Sequence, residues 1–170
     1  METHTIIRRS DELAALNKLA PLVMASADGL RNLAVRFSAP GWKELFIRYW
    51  QQDERCLAEL TKKIREIGGS FDTEFKDQPT QTGEISEEID DPLLLDKHLL
   101  LRCLNDKTQT LEAYAHVRKN PLSFDTRMLL QRHHLQAREA LERLTAIYLS
   151  YPTRPTRPLE QDSPYPYHRA

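Results

Sequence analysis

Residues 130–149 read LQRHHLQAREALERLTAIYL, and their spacing decides the fold class. Leu130, His134, Ala137, Leu141, Leu144 and Tyr148 recur in alternating steps of four and three, the rhythm that lines the seam of a helical bundle. The same period runs back along the chain. It gives Leu94, Lys97 or His98, Leu101, Leu104, Thr108, Leu111, Ala115; before that Trp42, Phe46, Tyr49, Asp53, Cys56 or Leu57, Leu60, Ile64, Ile67. The earliest row is Leu13, Leu16, Ala20, Val23, Ala27, Leu30, Ala34, Phe37. Glycines and prolines separate four segments of similar length, about 11–38, 42–67, 92–119 and 122–149. At 1.5 Å per residue each is a rod on the order of 40 Å long. Extended structure is suggested only around Phe71–Phe75, so the sequence predicts an all-α bundle.

Capping chemistry agrees with these limits. Ser10 followed by Asp11 and Glu12 supplies a cap and first-turn negative charge, and Asp91-Pro92 and Asn120-Pro121 each read as a cap followed by proline at the first helical position. Gly68-Gly69 supplies a left-handed stop after Ile67, and Pro40-Gly41 turns the second rod back on the first. Pro21 is the misfit, because an interior proline costs about 3 kcal/mol, and a kink or break is expected near residues 17–21.

The connection 68–91 is long enough to run the length of a rod, which allows the second and third helices to be parallel. Two hairpins joined by a long crossover is the ferritin-like arrangement. This segment carries Asp72, Glu74, Asp77, Glu84, Glu87, Glu88, Asp90 and Asp91 against Lys76 alone, so it reads as a solvated acidic loop or as a strap competing for the basic remainder of the chain. Residues 150–170, with a doubled Thr-Arg-Pro and a Pro-Tyr-Pro, favour polyproline II and form a tail that cannot build a core but could dock on a partner. Residues 1–10 form an N-terminal arm.

Composition narrows the class. The 170 residues are 40% hydrophobic and 29% charged with a net charge of −1, which argues against disorder and against a field that would attract nucleic acid or anionic membrane. No apolar run approaches the roughly 20 residues of a membrane span, and the first residues lack a signal peptide's apolar stretch. Cys56 and Cys103 are too few for a disulfide framework or a zinc site, so the expected setting is cytoplasmic with both thiols free.

A four-helix bundle with a crossover raises the question of a dinuclear iron centre, which draws on Glu-x-x-His pairs. Three residues before His98, His116, His133 and His134 stand Leu95, Ala113, Leu130 and Gln131, so no such pair exists. Glu112 with His116 is an ordinary surface pair at i, i+4. The inward rows nonetheless carry polar residues near mid-length: Asp53, Thr108, His134, and Asp28 beside Ala27. Buried together, they predict a polar belt built on an Asp53–His134 pair bridged by Thr108. Cys103 reads as a small core residue, Trp42 and Tyr49 as core, and Trp50 as a residue suited to a subunit interface. No glycine-rich phosphate loop is present and no local spacing assigns a nucleophile and base.

Three stretches, LNKLAPLVMASADGLRNLA (16–34), ELFIRYWQQDERCLAELTKKIREIGG (44–69) and LLRCLNDKTQTLEAYAHV (100–117), resemble a bacterial ferritin-like family of uncharacterised function. The echoes are Leu16-Asn17-Lys18-Leu19, Asp28-Gly29, Arg65-Glu66-Ile67-Gly68-Gly69, Cys103 and Leu111-x-x-Tyr114. The resemblance covers about residues 11–149 and implies a ferritin-like four-helix bundle with little said of activity. Against that pattern, Gln52 stands for a second-helix carboxylate, Lys107 for the third-helix acid and Leu141 for the fourth-helix histidine, while the first-helix acid survives as Asp28. An ammonium in place of a ligand repels a metal cation, so the ancestral site reads as dismantled.

The expectation is therefore a non-enzymatic structural, interaction or stress-associated bundle over 11–149 that forms a homo-oligomer or binds a protein partner, with no catalytic residues, no metal and no cofactor. The alternative is a ferritin-like oxidase or storage protein holding iron or manganese on Asp28, Asp53, Glu54 and His134, with Glu112 or His116 as further ligands. A second alternative is an adaptor that works through its proline-rich tail.

Overall fold

In the computed structural model, which describes residues 9–71 and 89–152, four long helices account for most of the described residues. They are α1 (Arg9–Arg36), α2 (Lys43–Glu66), α3 (Pro92–Val117) and α4 (Phe124–Ser150), with a short 3-10 turn at Pro40–Trp42 between the first two. No strand occurs among the described residues. Phe71 itself lies outside any helix or strand, and most of the segment read as extended, like the acidic stretch 72–88, the arm 1–8 and the tail 153–170, lies outside the described residues.

Side-chain pairs fix the directions. Phe37 stacks edge-on against Phe46, Ser26 meets Asp53, and the Cβ side of Gly69 faces Leu13, so α1 and α2 are antiparallel. Ser38 meets Asp96 and the Thr110 hydroxyl reaches the carbonyl of Leu22, so α1 and α3 are antiparallel as well. It follows that α2 and α3 run the same way. Tyr114 with His133, and Asp96 with Tyr151, set α4 antiparallel to α3. α1 packs along both α2 and α3, and α3 along α4, whereas α2 and α4 touch more sparsely.

Helix ends follow the sequence in part. The Asp91 carboxylate accepts from Leu93 N–H at 3.0 Å and caps α3. At the end of α2, Gly69 N–H bonds the carbonyl of Ile64 and Gly68 N–H that of Arg65, with Gly68 at φ 93°, the paired closure in which glycine takes the left-handed position without a Cβ penalty. Two expectations fail. α1 runs on through exposed Pro21, so the helix is kept rather than broken there, with Leu16, Leu19, Ala20 and Val23 buried on both sides of it. α4 starts after Ser123, not at Asn120-Pro121, which instead lies in the turn between α3 and α4.

The first two core rows hold, except that Trp42 is exposed where core packing was expected; Tyr49 is buried, and Trp50 lies half-buried under the Arg31 guanidinium. The third row holds only at Leu104 and Leu111, which pack partly buried against the core. Leu94, Leu101, Thr108 and Ala115 face outward, and the inner face of α3 is Asp96, Leu99, Leu100, Cys103, Lys107, Thr110, Tyr114 and Val117. Three polar side chains on that face defeat a hydropathy reading. The fourth row keeps Leu130, Ala137 and Leu144 but alternates through His133, Ala140 and Ile147, one residue short of His134, Leu141 and Tyr148. Both choices obey a three-four rhythm, and tertiary packing selects the one with small Ala140 inside.

Candidate functional site

The core divides into two apolar halves. One gathers residues such as Leu16, Leu19, Leu60, Ile64, Tyr114 and Leu130; the other Leu30, Leu33, Phe46, Tyr49, Leu100 and Leu144. Near mid-length lies a polar knot drawn from three helices. Lys107, only 1% exposed, places Nζ 2.5 Å from both carboxylate oxygens of Asp53, and the Ser26 hydroxyl donates to Asp53 Oδ2 at 2.7 Å. This is the expected polar belt with different members. His134 is only partly buried and its Nδ1 lies 3.5 Å from the Arg118 guanidinium; Thr108 is exposed and bonds its own helix at Leu104. Sequence reasoning missed Ser26, and it named Lys107 only as a lost acid. α1 and α3 approach closely here, since a Cβ on Gly29 would lie 2.9 Å from Asp106 Oδ2.

About one turn and a half further along α2, a second knot joins surface to core. Glu59, half exposed, accepts from Arg132 at 2.7 Å and from His133 Nε2 at 2.6 Å. With Nε2 donating, the neutral ring turns Nδ1 toward the Tyr114 hydroxyl at 3.3 Å, which donates to it. Burial pushes the His133 imidazole below its ordinary value against the opposing pull of Glu59. For Glu59 burial acts upward, but the bonds from His133 and Arg132 outweigh it and hold the carboxyl below its usual range. Burial likewise raises the Tyr114 hydroxyl well above 10.

These shifts fix a pH dependence. The unfolded chain takes up a proton on this imidazole near its ordinary 6.5, and the folded chain resists it, so the unfolded state binds more protons and unfolding becomes easier as pH falls below about 6.5. The depressed Glu59 extends the loss to pH below 4.5, and His134, lowered by burial and by Arg118 and Arg138, adds in the same sense. Urea denaturation across pH should therefore give a plateau from neutrality up to where the unfolded thiols ionise near 9.0, with a decline on its acid side, and His133→Gln should flatten the first part of that decline.

A third knot closes one end of the bundle. The fully buried Asp96 accepts from Ser38 N–H at 2.9 Å, from the Ser38 hydroxyl at 2.5 Å and from the Tyr151 hydroxyl. At the opposite end the Ser123 hydroxyl donates to the buried Glu12 at 2.6 Å.

The metal alternative finds little support in this geometry. Asp28, Glu54, Glu112 and His116 are all exposed, His134 faces Arg118, and Asp53 is held by Lys107. Gln52 and Leu141 are half-buried. No group of three His, Cys, Asp or Glu side chains arranged to hold a metal exists among the described residues. The residues at the mid-bundle knot do not fit a dication, because one carboxylate, one hydroxyl and a resident ammonium offer a metal one anionic ligand and a competing positive charge.

Both thiols are free and buried. Burial, with Asp53 acting on Cys56 and Asp106 on Cys103, pushes each up to about 12. Scarce thiolate and lack of access act together, so alkylation of both thiols at about pH 8 should be far slower in the native protein than in denaturant.

The chain folds like a conserved hypothetical protein, rv2844, from Mycobacterium tuberculosis. The crystal structure of that protein superposes with a TM-score of 0.67 over 88% of this chain and 98% of its own, at 14% sequence identity, a likeness of fold alone. No protein-family model and no curated protein matches the sequence.

Three surface cavities, of about 720, 540 and 350 Å³, lie at the turn between α3 and α4, on α2, and between α1 and α3. None of the three is lined by Asp53, Lys107, Glu59, His133, Tyr114 or Asp96. The buried polar groups are thus turned toward one another and away from these cavities. No helix among the described residues is long and apolar enough to cross a membrane.

Proposed function

We propose that the chain is a ferritin-like bundle of two helical hairpins joined by a long crossover, retained as a structural or interaction protein in which an internal ammonium has taken over the place of a metal. One observation carries the reading: Lys107 Nζ sits on both oxygens of Asp53 between the two apolar halves of the core. The common direction of α2 and α3 supports the crossover arrangement. A salt-bridged, hydrogen-bonded Asp53 is a satisfied structural group, with its charge neutralised and one lone pair taken by Ser26.

The test is metal analysis of protein purified without chelator. The expected result is iron and manganese far below one equivalent, unchanged in Asp53→Asn. Near-stoichiometric metal that is lost in Asp53→Asn or His133→Gln would establish the oxidase or storage reading instead.

A further inference from the structure

α4 has two faces. Its inner face, from Thr126 through Leu130, His133, Ala137, Ala140 and Leu144 to Ile147, is buried. At about 100° per residue, Phe124, Met128, Leu135 and Leu149 fall on one narrow line diametrically opposite. They are 75%, 50%, 48% and 77% exposed, and they form nearly half of the exposed large hydrophobics among the described residues. Filling in the line gives Phe124, Met128, Gln131, Leu135, Arg138, Glu142, Thr145 and Leu149, a second seam in strict four-three alternation along the whole helix.

We infer that this outer seam of α4 is the interface with a second copy of the chain, the two α4 helices packing antiparallel across a two-fold axis near residues 136 and 137. The inference deepens the structural and interaction reading above, on which it rests, by naming the partner and the surface. The pattern along the line selects the occupant and charge the direction. A parallel pair would stack Glu142 on Glu142, whereas the antiparallel register holds these two carboxylates about 16 Å apart along the axis. The antiparallel register sets Phe124 against Leu149 of the second copy, Met128 against Thr145, Gln131 against Glu142, and Leu135 against the aliphatic stem of Arg138. Apolar ends thus meet apolar ends, and a carboxamide that can donate meets a carboxylate. The Arg138 charge is already matched on its own helix, with Nε 3.7 Å from Glu142 Oε1. Every pairing is reciprocal, as a closed two-fold interface requires. An acidic segment of the same chain would find Glu142 on the line as well as Arg138, so the seam complements itself better than it complements an anion.

Sedimentation velocity on the full chain tests this. The expected mass is twice 19.8 kDa at micromolar concentration, falling to one chain in Met128→Glu/Leu135→Glu with helicity and melting temperature preserved. Direction is read by cross-linking: Gln131→Cys mixed with Glu142→Cys should join copies under mild oxidation far faster than either variant alone. A wild-type monomer overturns the inference, whether the seam is then bare or covered by residues 72–88 or 153–170. A dimer that survives the double variant, or one in which Gln131→Cys joins itself fastest, overturns it too. Such failures leave the metal analysis untouched, and bound iron would leave the mass untouched, so the two readings fail separately.

Discussion

Lys107→Met should lower the stability of the fold by about 3–5 kcal/mol, because it strands the Asp53 carboxylate in the core with a single hydroxyl for company. In a chain of this size each kcal/mol moves the melting midpoint by about 2–4 °C, so the loss reads as roughly 6–20 °C by calorimetry. Removing both charges behaves differently. Asp53→Leu/Lys107→Met exchanges a desolvated ion pair for apolar volume and should recover most of the loss, since such replacements are often neutral or stabilising. A double-mutant cycle therefore returns a coupling much larger than the 0.2–1 kcal/mol of an exposed pair. Two single variants with small, additive effects would mean that Lys107 reaches solvent and that the knot is not closed.

The second large effect belongs to the end knot. Asp96→Ala removes the acceptor of one backbone and two hydroxyl donors at once, and hydrogen bonds to a charged group contribute about 1.5–3 kcal/mol each. Partial rescue by water at exposed Ser38 brings the expected cost to about 3 kcal/mol. The loss should be local as well as global. Tyr151 stacks on Phe37 and ties the end of α4 to α1 and α3, so amide exchange in the last turn of α4 should quicken in Asp96→Ala more than at its centre. Asp96→Asn keeps one acceptor oxygen and should lose about half as much.

Why the helices were legible and the knots were not follows from where the polar residues stand. α1 and α2 present mostly apolar inner faces, so periodicity placed their cores; the glycine stop and the Asp91 cap depend on local chemistry alone and were placed as well. α3 reverses the usual bias, since Asp96, Lys107 and Thr110 point in while Leu94 and Leu101 point out. A lysine at 1% exposure is intelligible only once the carboxylate it neutralises is known, and that partner lies 54 residues away. In α4, His133 and His134 are adjacent and both fit a seam; the choice falls to His133 because Glu59 and Tyr114 wait on that side. Asp53 was identified from sequence as the buried mid-length acid, but its partner was misassigned to His134 because a charged lysine was not expected inside.

The exposed Leu94 and Leu101 of α3 account for its misread row, whereas the exposed line of α4, Phe124, Met128, Leu135 and Leu149, entered no core row. An apolar residue on an outer face imitates a core position in sequence, and α4 alone repeats it along the full helix.

The most direct test of the central claim is a crystal grown with excess manganese and measured for anomalous scattering. The account predicts continuous density from the Lys107 side chain to the Asp53 carboxylate and no anomalous peak beside it. A peak bound to Asp53, with the lysine swung away, would contradict it.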